Sequence, residues 1–179
     1  MRKSNCLLFT AFTFISLTSY SQEDFDTKNT LENLQIVAGT WTVQVEARLS
    51  ANGPWESSLG TSVIARTVGL TVFEENFTGT REGRPFVTKT LLALNNLSKK
   101  FQRIFVDSEH GTLVDFEGVH EKNEFLFDKN WAYPNNTTVR LRVVYKIISP
   151  NEFSIESMRM PQDSKAWDVT GRLRYVRAK

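Results

Sequence analysis

Apolar and polar residues alternate along most of this chain, and this alternation predicts strands. In residues 139–147, valine, leucine, tyrosine and isoleucine occupy every second position, and basic side chains occupy most of the others. A period of two places the two sets on opposite faces of a strand. Residues 167–176 alternate in the same way, with Trp167 and Tyr175 on the apolar face. Both segments are therefore predicted to be half-buried strands.

Similar runs fill the rest of the chain from Thr40 onward. Short segments rich in glycine, proline and asparagine separate them, which is the composition of turns. This short, regular spacing indicates antiparallel hairpins. In one domain, about ten such strands form either a sandwich or a closed barrel, and periodicity alone does not choose between these architectures. The other predicted strands are residues 40–49, 61–68, 71–80, 86–94, 100–107, 112–118, 124–128 and 152–160.

The start of the alternating region favours the barrel. Leu31, Leu34 and Val37 recur at helical spacing, and a helix this short must dock on the mouth or floor of a barrel to be stable. Small residues then allow the chain to turn before Trp41 enters the first strand, in the sequence Gly39-Thr-Trp41. Lipocalin-like barrels begin in this way.

Four segments together resemble a bacterial family of lipocalin-like barrels that has no agreed biochemical role. They are residues 37–43, 99–112, 152–158 and 173–177. The resemblance runs from about Leu31 to the C-terminus. It implies an all-β fold, an up-and-down antiparallel barrel of about ten strands with a short N-terminal helix. It also implies a cup that holds a ligand, and it implies no reaction.

One contact is expected at the closed end of such a barrel. The last strand pairs with the first, so the end of the chain lies beside its start. Arg177 shares the apolar face of the last strand with Tyr175, and we expect its guanidinium to cover Trp41 in a structural cation–π contact. The alternative is a frayed Arg177 in solvent.

The N-terminus has the pattern of a secretory signal peptide, predicted at residues 1–21. Arg2 and Lys3 precede an apolar run that is too short to span a bilayer. Residues 22–30 form a polar leader, and residues 31–179 form the predicted barrel domain. We therefore expect a secreted or periplasmic protein with no membrane span. Cys6 is the only cysteine and would be removed with the signal peptide, so the mature chain would have no disulfide and no thiolate ligand or nucleophile.

The charge of the chain argues against nucleic acid as a partner. The formal net charge is +2, and Arg2 and Lys3 account for it, because the chain has 22 basic and 20 acidic residues. Nucleic-acid binding needs a basic surface excess, which the mature chain would lack.

Two charged residues interrupt aromatic faces that are predicted to point into the barrel. Glu75 lies between phenylalanines in residues 73–77, and Arg103 lies between phenylalanines in residues 101–105. A buried charge needs a partner or a ligand. We expect the acid group of a small hydrophobic or amphipathic ligand to meet Arg103 and Tyr145; alternatively, Glu75 and Arg103 pair with each other or lie at strand ends in water. The predicted ligand-binding residues of the lumen are Phe73, Glu75, Phe77, Arg103, Phe105, Tyr145 and Trp167.

No catalytic motif and no metal or cofactor site emerges from the sequence. His110 and His120 flank one predicted strand, up to ~30 Å apart, so they cannot share a metal. A single histidine as the axial ligand of a haem remains an alternative, but no motif in the sequence supports it. Asp115 and Glu117 share a strand face about 7 Å apart, which is within the range of the carboxylate pairs of glycosidases. The opposite face of the same strand is apolar, so we interpret the two carboxylates as lying on the outer, solvated side of the barrel.

The predicted function is therefore binding of a small hydrophobic or amphipathic molecule in the barrel lumen. The main alternative is a module with a filled barrel that acts through its surface, as a partner-binding or envelope accessory protein. A weak isomerase or hydrolase acting on a ligand in the lumen is the third possibility.

Overall fold

A computed structural model describes residues 34–48, 50–69, 71–133 and 137–179. The predicted signal peptide and polar leader lie outside the described residues, as does Leu31 of the predicted helix. The described part of that helix is a single turn at residues 34–37.

The rest of the fold is a closed antiparallel barrel. Each strand pairs with its neighbour in sequence, and the last strand pairs with the first. This confirms the predicted all-β, up-and-down architecture. The strands are β1 (Gly39–Ala47), β2 (Glu56–Val68), β3 (Val72–Arg81), β4 (Arg84–Leu94), β5 (Phe101–Asp107), β6 (Val114–Glu121), β7 (Glu124–Ala132), β8 (Thr138–Ser149), β9 (Glu152–Pro161) and β10 (Asp168–Arg177).

The largest difference from the predicted boundaries is at β2, which begins at Glu56 rather than at residue 61. In this stretch the usual alternation is reversed. Ser58 and Gly60 lie on the inner face with the buried Ser62, while Leu59 points outward and is exposed. An apolar residue outside and small polar residues inside do not produce the pattern of a half-buried strand, so the sequence conceals this part of β2.

The helical turn closes one end of the barrel by packing onto Trp41. Leu34 and Val37 are buried, and the indole Nε1 of Trp41 donates a hydrogen bond of 2.8 Å to the carbonyl oxygen of Val37. The guanidinium carbon of Arg177 lies 4.3 Å from the centroid of the Trp41 ring. Arg177 Nη1 and Nη2 also donate to the carbonyl oxygens of Ala38 and Ile36, each at 3.1 Å. One side chain thus joins the end of β10 to the segment before β1.

Gly39 makes this closure possible. Its φ of +145° is rarely adopted by residues with a side chain. A Cβ at this position would also collide with Nη1 of Arg177. The glycine therefore provides both the turn into β1 and the space that Arg177 occupies.

Aromatic side chains fill the half of the barrel next to this closed end. Phe153 meets Trp41 edge-on with ring centroids 4.9 Å apart, and Phe101 meets Phe125 in the same way at 5.0 Å. Phe73 and Phe127 are also fully buried here. Within the described residues, buried aromatic side chains therefore occupy this half of the lumen.

Candidate functional site

The open half of the barrel contains a cavity of about 810 Å³. This volume is within the range of small-molecule sites, which typically have about 300–1,000 Å³ and a mostly apolar lining with a few polar groups. The apolar wall comes from eight of the ten strands. Its main contributors are Val45, Phe77, Phe86, Phe105, Phe116, Leu141, Val143, Ile155 and Leu173.

Two glycines on neighbouring strands make room for the aromatic ring of Phe77. Gly60 of β2 lies opposite Gly79 of β3. A Cβ at Gly79 would lie 2.7 Å from the Phe77 ring, and a Cβ at Gly60 would lie 2.8 Å from the carbonyl oxygen of Thr78. The ring therefore lies against bare backbone at the barrel wall, which leaves space in the lumen.

Glu75 is a buried carboxylate at the bottom of the cavity. Only 3% of the residue is exposed. Its Oε1 accepts a hydrogen bond from the hydroxyl of Ser62 and another from the phenol of Tyr175, both at 2.8 Å. Burial, together with the negative charge of Glu75, raises the pKa of Tyr175 well above its usual value. Tyr175 therefore remains a protonated donor to Glu75 at neutral pH.

Arg103 is the second buried charge at the bottom of the cavity, with 7% of the residue exposed. Its guanidinium carbon lies 4.8 Å from the ring centroid of Phe105 and 5.2 Å from that of Phe116. Nε donates a hydrogen bond of 3.1 Å to the hydroxyl of Tyr145, whose pKa burial raises. Within the described parts of the chain, no ion pair joins Arg103 to an acid, and its terminal nitrogens have no hydrogen bond to the protein. They are free to meet a ligand.

A stack of three rings holds the two hydroxyls that fix these charges. Phe153 lies between Tyr175, at a centroid distance of 4.2 Å, and Tyr145, at 6.4 Å, with interplanar angles of 17° and 9°. At one end of the stack Tyr175 donates to Glu75, and at the other end Tyr145 accepts from Arg103. We call Glu75, Arg103, Tyr145 and Tyr175 the polar floor. The stacked rings hold the two hydroxyls that bind its charged side chains.

The predicted lumenal residues lie at different depths. Glu75, Phe77, Arg103 and Phe105 line the cavity. Phe73 and Tyr145 point inward but lie below it: Phe73 is in the packed half, and Tyr145 supports Arg103 from beneath. The structure therefore brings six of the seven predicted residues into one interior. A ligand-binding role for them stays a prediction.

Trp167 is the exception, and its predicted place in the lumen is wrong. Its ring does not line the cavity; the guanidinium carbons of Arg142 and Arg140 lie 4.5 and 5.4 Å from its centroid. The pairing between β9 and β10 shifts register between Val169 and Gly171. Such a bulge moves every residue before it to the opposite face, so alternation counted back from Tyr175 assigns Trp167 to the wrong side.

Sequence reasoning missed three residues that complete the site. Tyr175 and Ser62 bind Glu75, and Phe116 packs on Arg103. Tyr175 was on a recognised apolar face, so its hydroxyl was a detectable signal. Ser62 lies in the reversed stretch of β2, and no pattern in the sequence distinguishes it from a surface serine.

The other candidate groups form no site. Asp115 and Glu117 lie outside the barrel and pair with Lys129 and Lys100, at 2.7 and 2.8 Å. The hydrogen bond from Lys129 keeps the pKa of Asp115 below its usual value.

Neither of the two histidines lines the cavity. His110 is exposed beside Asp107, while His120 packs against the Phe125 ring at 4.4 Å, and burial lowers its pKa. Within the described ranges, no group of three or more His, Cys, Asp or Glu side chains is placed to hold a metal ion. In the same ranges, no helix has the length and apolar character needed to cross a membrane.

Comparisons with known proteins place the chain by family and fold. Residues 27–177 match the family described as "Protein of unknown function (DUF1579)". A comparison with curated proteins gave no match. The structure of Rv2717c from M. tuberculosis is similar at a TM-score of 0.58 and 11% identity, over 83% of this chain and 97% of that one. The S-type phycobiliprotein lyase CPES from Guillardia theta is similar at 0.54 and 12% identity, over 86% and 93%. At these identities the likeness shows the fold.

Proposed function

We propose that this chain, which belongs to the DUF1579 family of proteins of unknown function, binds a small, largely apolar molecule in the open half of its barrel. The apolar wall removes the body of the molecule from water, at roughly 25 cal/mol for each Å² of apolar surface buried. A polar group at the inner end of the molecule accepts hydrogen bonds from Arg103. Ligand binding, rather than catalysis, is the activity that these residues support best.

The observation that carries this proposal is the state of Arg103. A buried guanidinium is costly unless its donors are satisfied. Among the described residues only Nε has a hydrogen-bond partner, Tyr145, while the rings of Phe105 and Phe116 lie beside the guanidinium. The terminal nitrogens have no hydrogen bond to the described residues, and they are accessible at the bottom of an apolar cavity. This is the arrangement expected of a ligand anchor.

The cavity also bears on the alternative of a filled barrel acting through its surface. Aromatic side chains fill the closed half of the lumen, but about 810 Å³ in the open half is not filled. A purely structural barrel gains stability from complete packing, because voids forfeit contact energy. The retained cavity therefore supports the binding function over the surface-acting module.

We further propose that the protein is exported and binds its ligand outside the cytoplasm. The support is the signal-peptide pattern of residues 1–21, which lies outside the described residues. Intact mass measurement of the protein from culture medium and cell fractions tests this step. Cleavage after Ser21 supports export, and a full-length cytoplasmic chain contradicts it.

Native mass spectrometry tests the binding function directly. The protein is purified from its host without denaturation, and its native mass is compared with the mass of the denatured chain. We expect an excess mass that organic extraction releases as a small molecule. The variant Gly171→Leu, in which a side chain occupies part of the cavity, serves for comparison, and we expect a smaller amount of the co-purified molecule in it. A native chain that carries nothing, and takes up nothing from a host extract, overturns the proposal.

A further inference from the structure

The polar floor contains one negative and one positive side chain that do not neutralise each other by direct contact. Glu75 and Arg103 both line the cavity and are both almost fully buried. No ion pair joins them among the described residues. Instead, Ser62 and Tyr175 hold Glu75, and Tyr145 holds Arg103. The floor is thus balanced in charge while both side chains can still bind a ligand.

The pairing of strands places the two groups on nearby rows of the barrel interior. Glu75 of β3 lies opposite Thr90 of β4, and Arg103 of β5 lies opposite Leu92 of β4. Thr90 and Leu92 are successive inward residues of the same strand. The two charged side chains therefore approach the same region of the floor from either side of β4.

This balance determines which chemical group fits the floor. A carboxylate would pair with Arg103 but would bring a second negative charge next to Glu75, where the low dielectric increases repulsion. An ammonium group would pair with Glu75 and meet repulsion from Arg103. An uncharged group with one acceptor and one donor satisfies both side chains and adds no charge to a buried site.

We infer that the cavity selects an apolar molecule whose inner end is an uncharged group with adjacent acceptor and donor, such as a primary or cyclic amide. The carbonyl oxygen accepts hydrogen bonds from the terminal nitrogens of Arg103, and the N–H donates to the carboxylate of Glu75. This inference rests on the proposed binding function and names the chemical class of its ligand. It replaces the acid group expected from the sequence, because an acid group bound to Arg103 would lie near the carboxylate of Glu75.

Four probes with the same eight-carbon chain test the inference: octanamide, octanoate, octylamine and methyl octanoate. Isothermal titration calorimetry at pH 7 with the wild-type protein measures their relative affinities. We expect octanamide to bind at least tenfold more tightly than octanoate and octylamine. The ester has an acceptor and no donor, so its affinity is expected to be lower than that of octanamide and higher than those of octanoate and octylamine. The ranking is measured on the natural chain and does not depend on any variant folding.

The variant Glu75→Gln changes the charge of the floor with little change in shape. We expect octanoate to gain at least tenfold relative to octanamide, because Arg103 is then the only charged side chain of the polar floor. Glu74→Gln, the same substitution on the outward face of β3, where Glu74 pairs with Lys89, is the control, and its ranking is expected to match the wild type within twofold. Tighter binding of octanoate by the wild type overturns the inference and leaves the proposed function intact. Failure of all four probes to bind overturns the proposed function as well.

Discussion

Tyr175 and Glu75 are separated by 100 residues in the sequence and joined by a hydrogen bond of 2.8 Å in the barrel interior. Tyr175 belongs to β10 and Glu75 to β3, and β1 and β2 lie between them around the barrel wall. The bond therefore crosses the lumen and connects the end of the chain to its first half. Because it also orients the carboxylate, it links the stability of the barrel to the shape of the candidate site.

Removing this hydroxyl is expected to destabilise the protein. Tyr175→Phe keeps the ring that stacks on Phe153 but leaves Glu75 with Ser62 as its only donor among the described residues. Loss of a hydrogen bond to a buried charged group costs about 1–3 kcal/mol. We expect a decrease of that size in the free energy of unfolding, measured by urea denaturation at pH 7. Tyr133→Phe, at an exposed position, is the matched control and is expected to change stability by less than about 0.5 kcal/mol. Equal effects of the two substitutions would mean that the hydrogen bond from Tyr175 to Glu75 does not stabilise the folded protein.

The same tyrosines are expected to make the barrel sensitive to alkaline pH. Burial raises the pKa of Tyr145 and of Tyr175, so the folded state keeps these protons to higher pH than the unfolded chain does. This stability is fully present below the unfolded tyrosine pKa of about 10 and is lost as pH rises above it, by up to about 1.4 kcal/mol per pH unit for each group.

Urea denaturation between pH 8 and pH 11.5 measures this dependence. The double variant Tyr145→Phe/Tyr175→Phe is expected to lose stability less steeply than the wild type above pH 10. Tyr133→Phe is expected to retain the wild-type slope. Parallel curves for the double variant and the wild type would show that the two tyrosines ionise as freely as in the unfolded chain.

Arg177 is expected to stabilise the closed end of the barrel. Arg177→Leu removes the cation–π contact with Trp41, worth roughly 0.5–2 kcal/mol, and the hydrogen bonds to the carbonyl oxygens of Ile36 and Ala38. We expect a loss of about 1–3 kcal/mol in the free energy of unfolding. Arg174→Leu removes an arginine from the exposed face of the same strand and is expected to have a much smaller effect. A smaller loss for Arg177→Leu than for Arg174→Leu would mean that the closed end is held by the helical turn alone.

Most of the fold could be predicted from the sequence because one rule governs most of the strands. Apolar residues point inward and polar residues point outward, so alternation locates all ten strands. The rule fails where the cavity begins. Ser58 and Gly60 face inward there because the lumen is open, and Leu59 faces solvent. The start of β2 was missed because the open lumen places small polar residues on its inner face.

The candidate site was less predictable, because it depends on contacts between distant strands. The sequence located Glu75 and Arg103 as interruptions of aromatic faces. It did not show which tyrosine binds which charge, since β3 and β10 meet only across the lumen. A single bulge was enough to misplace Trp167. A glycine inside a strand, here Gly171, is the sequence signal for such a bulge and could have limited that error.

Arg103 is expected to determine ligand affinity more than stability. Arg103→Leu keeps a side chain packed beside Phe105 and Phe116 but removes the hydrogen-bond donors of the polar floor. We expect the affinity for octanamide to fall by at least tenfold, as for loss of a hydrogen bond to a charged group. Arg103→Lys keeps the charge without the planar fork and is expected to lose an intermediate amount. Calorimetric titration measures both, after thermal unfolding confirms that each variant folds. An unchanged affinity in Arg103→Leu would mean that the ligand does not reach the floor.

Gly171 offers a test of where the ligand lies that leaves the polar floor intact. It faces the cavity from β10, and a Cβ there would have only ordinary contacts, the nearest 3.5 Å away at Ser157. Gly171→Ala is therefore expected to bind octanamide within twofold of the wild type. In Gly171→Leu the longer side chain extends into the cavity, and we expect at least a tenfold loss. Because the added atoms occupy empty space, the melting temperature should not fall with the affinity. A Leu variant that folds and binds like the Ala variant would place the ligand outside the lumen, since a molecule in this cavity has to share its volume with that side chain.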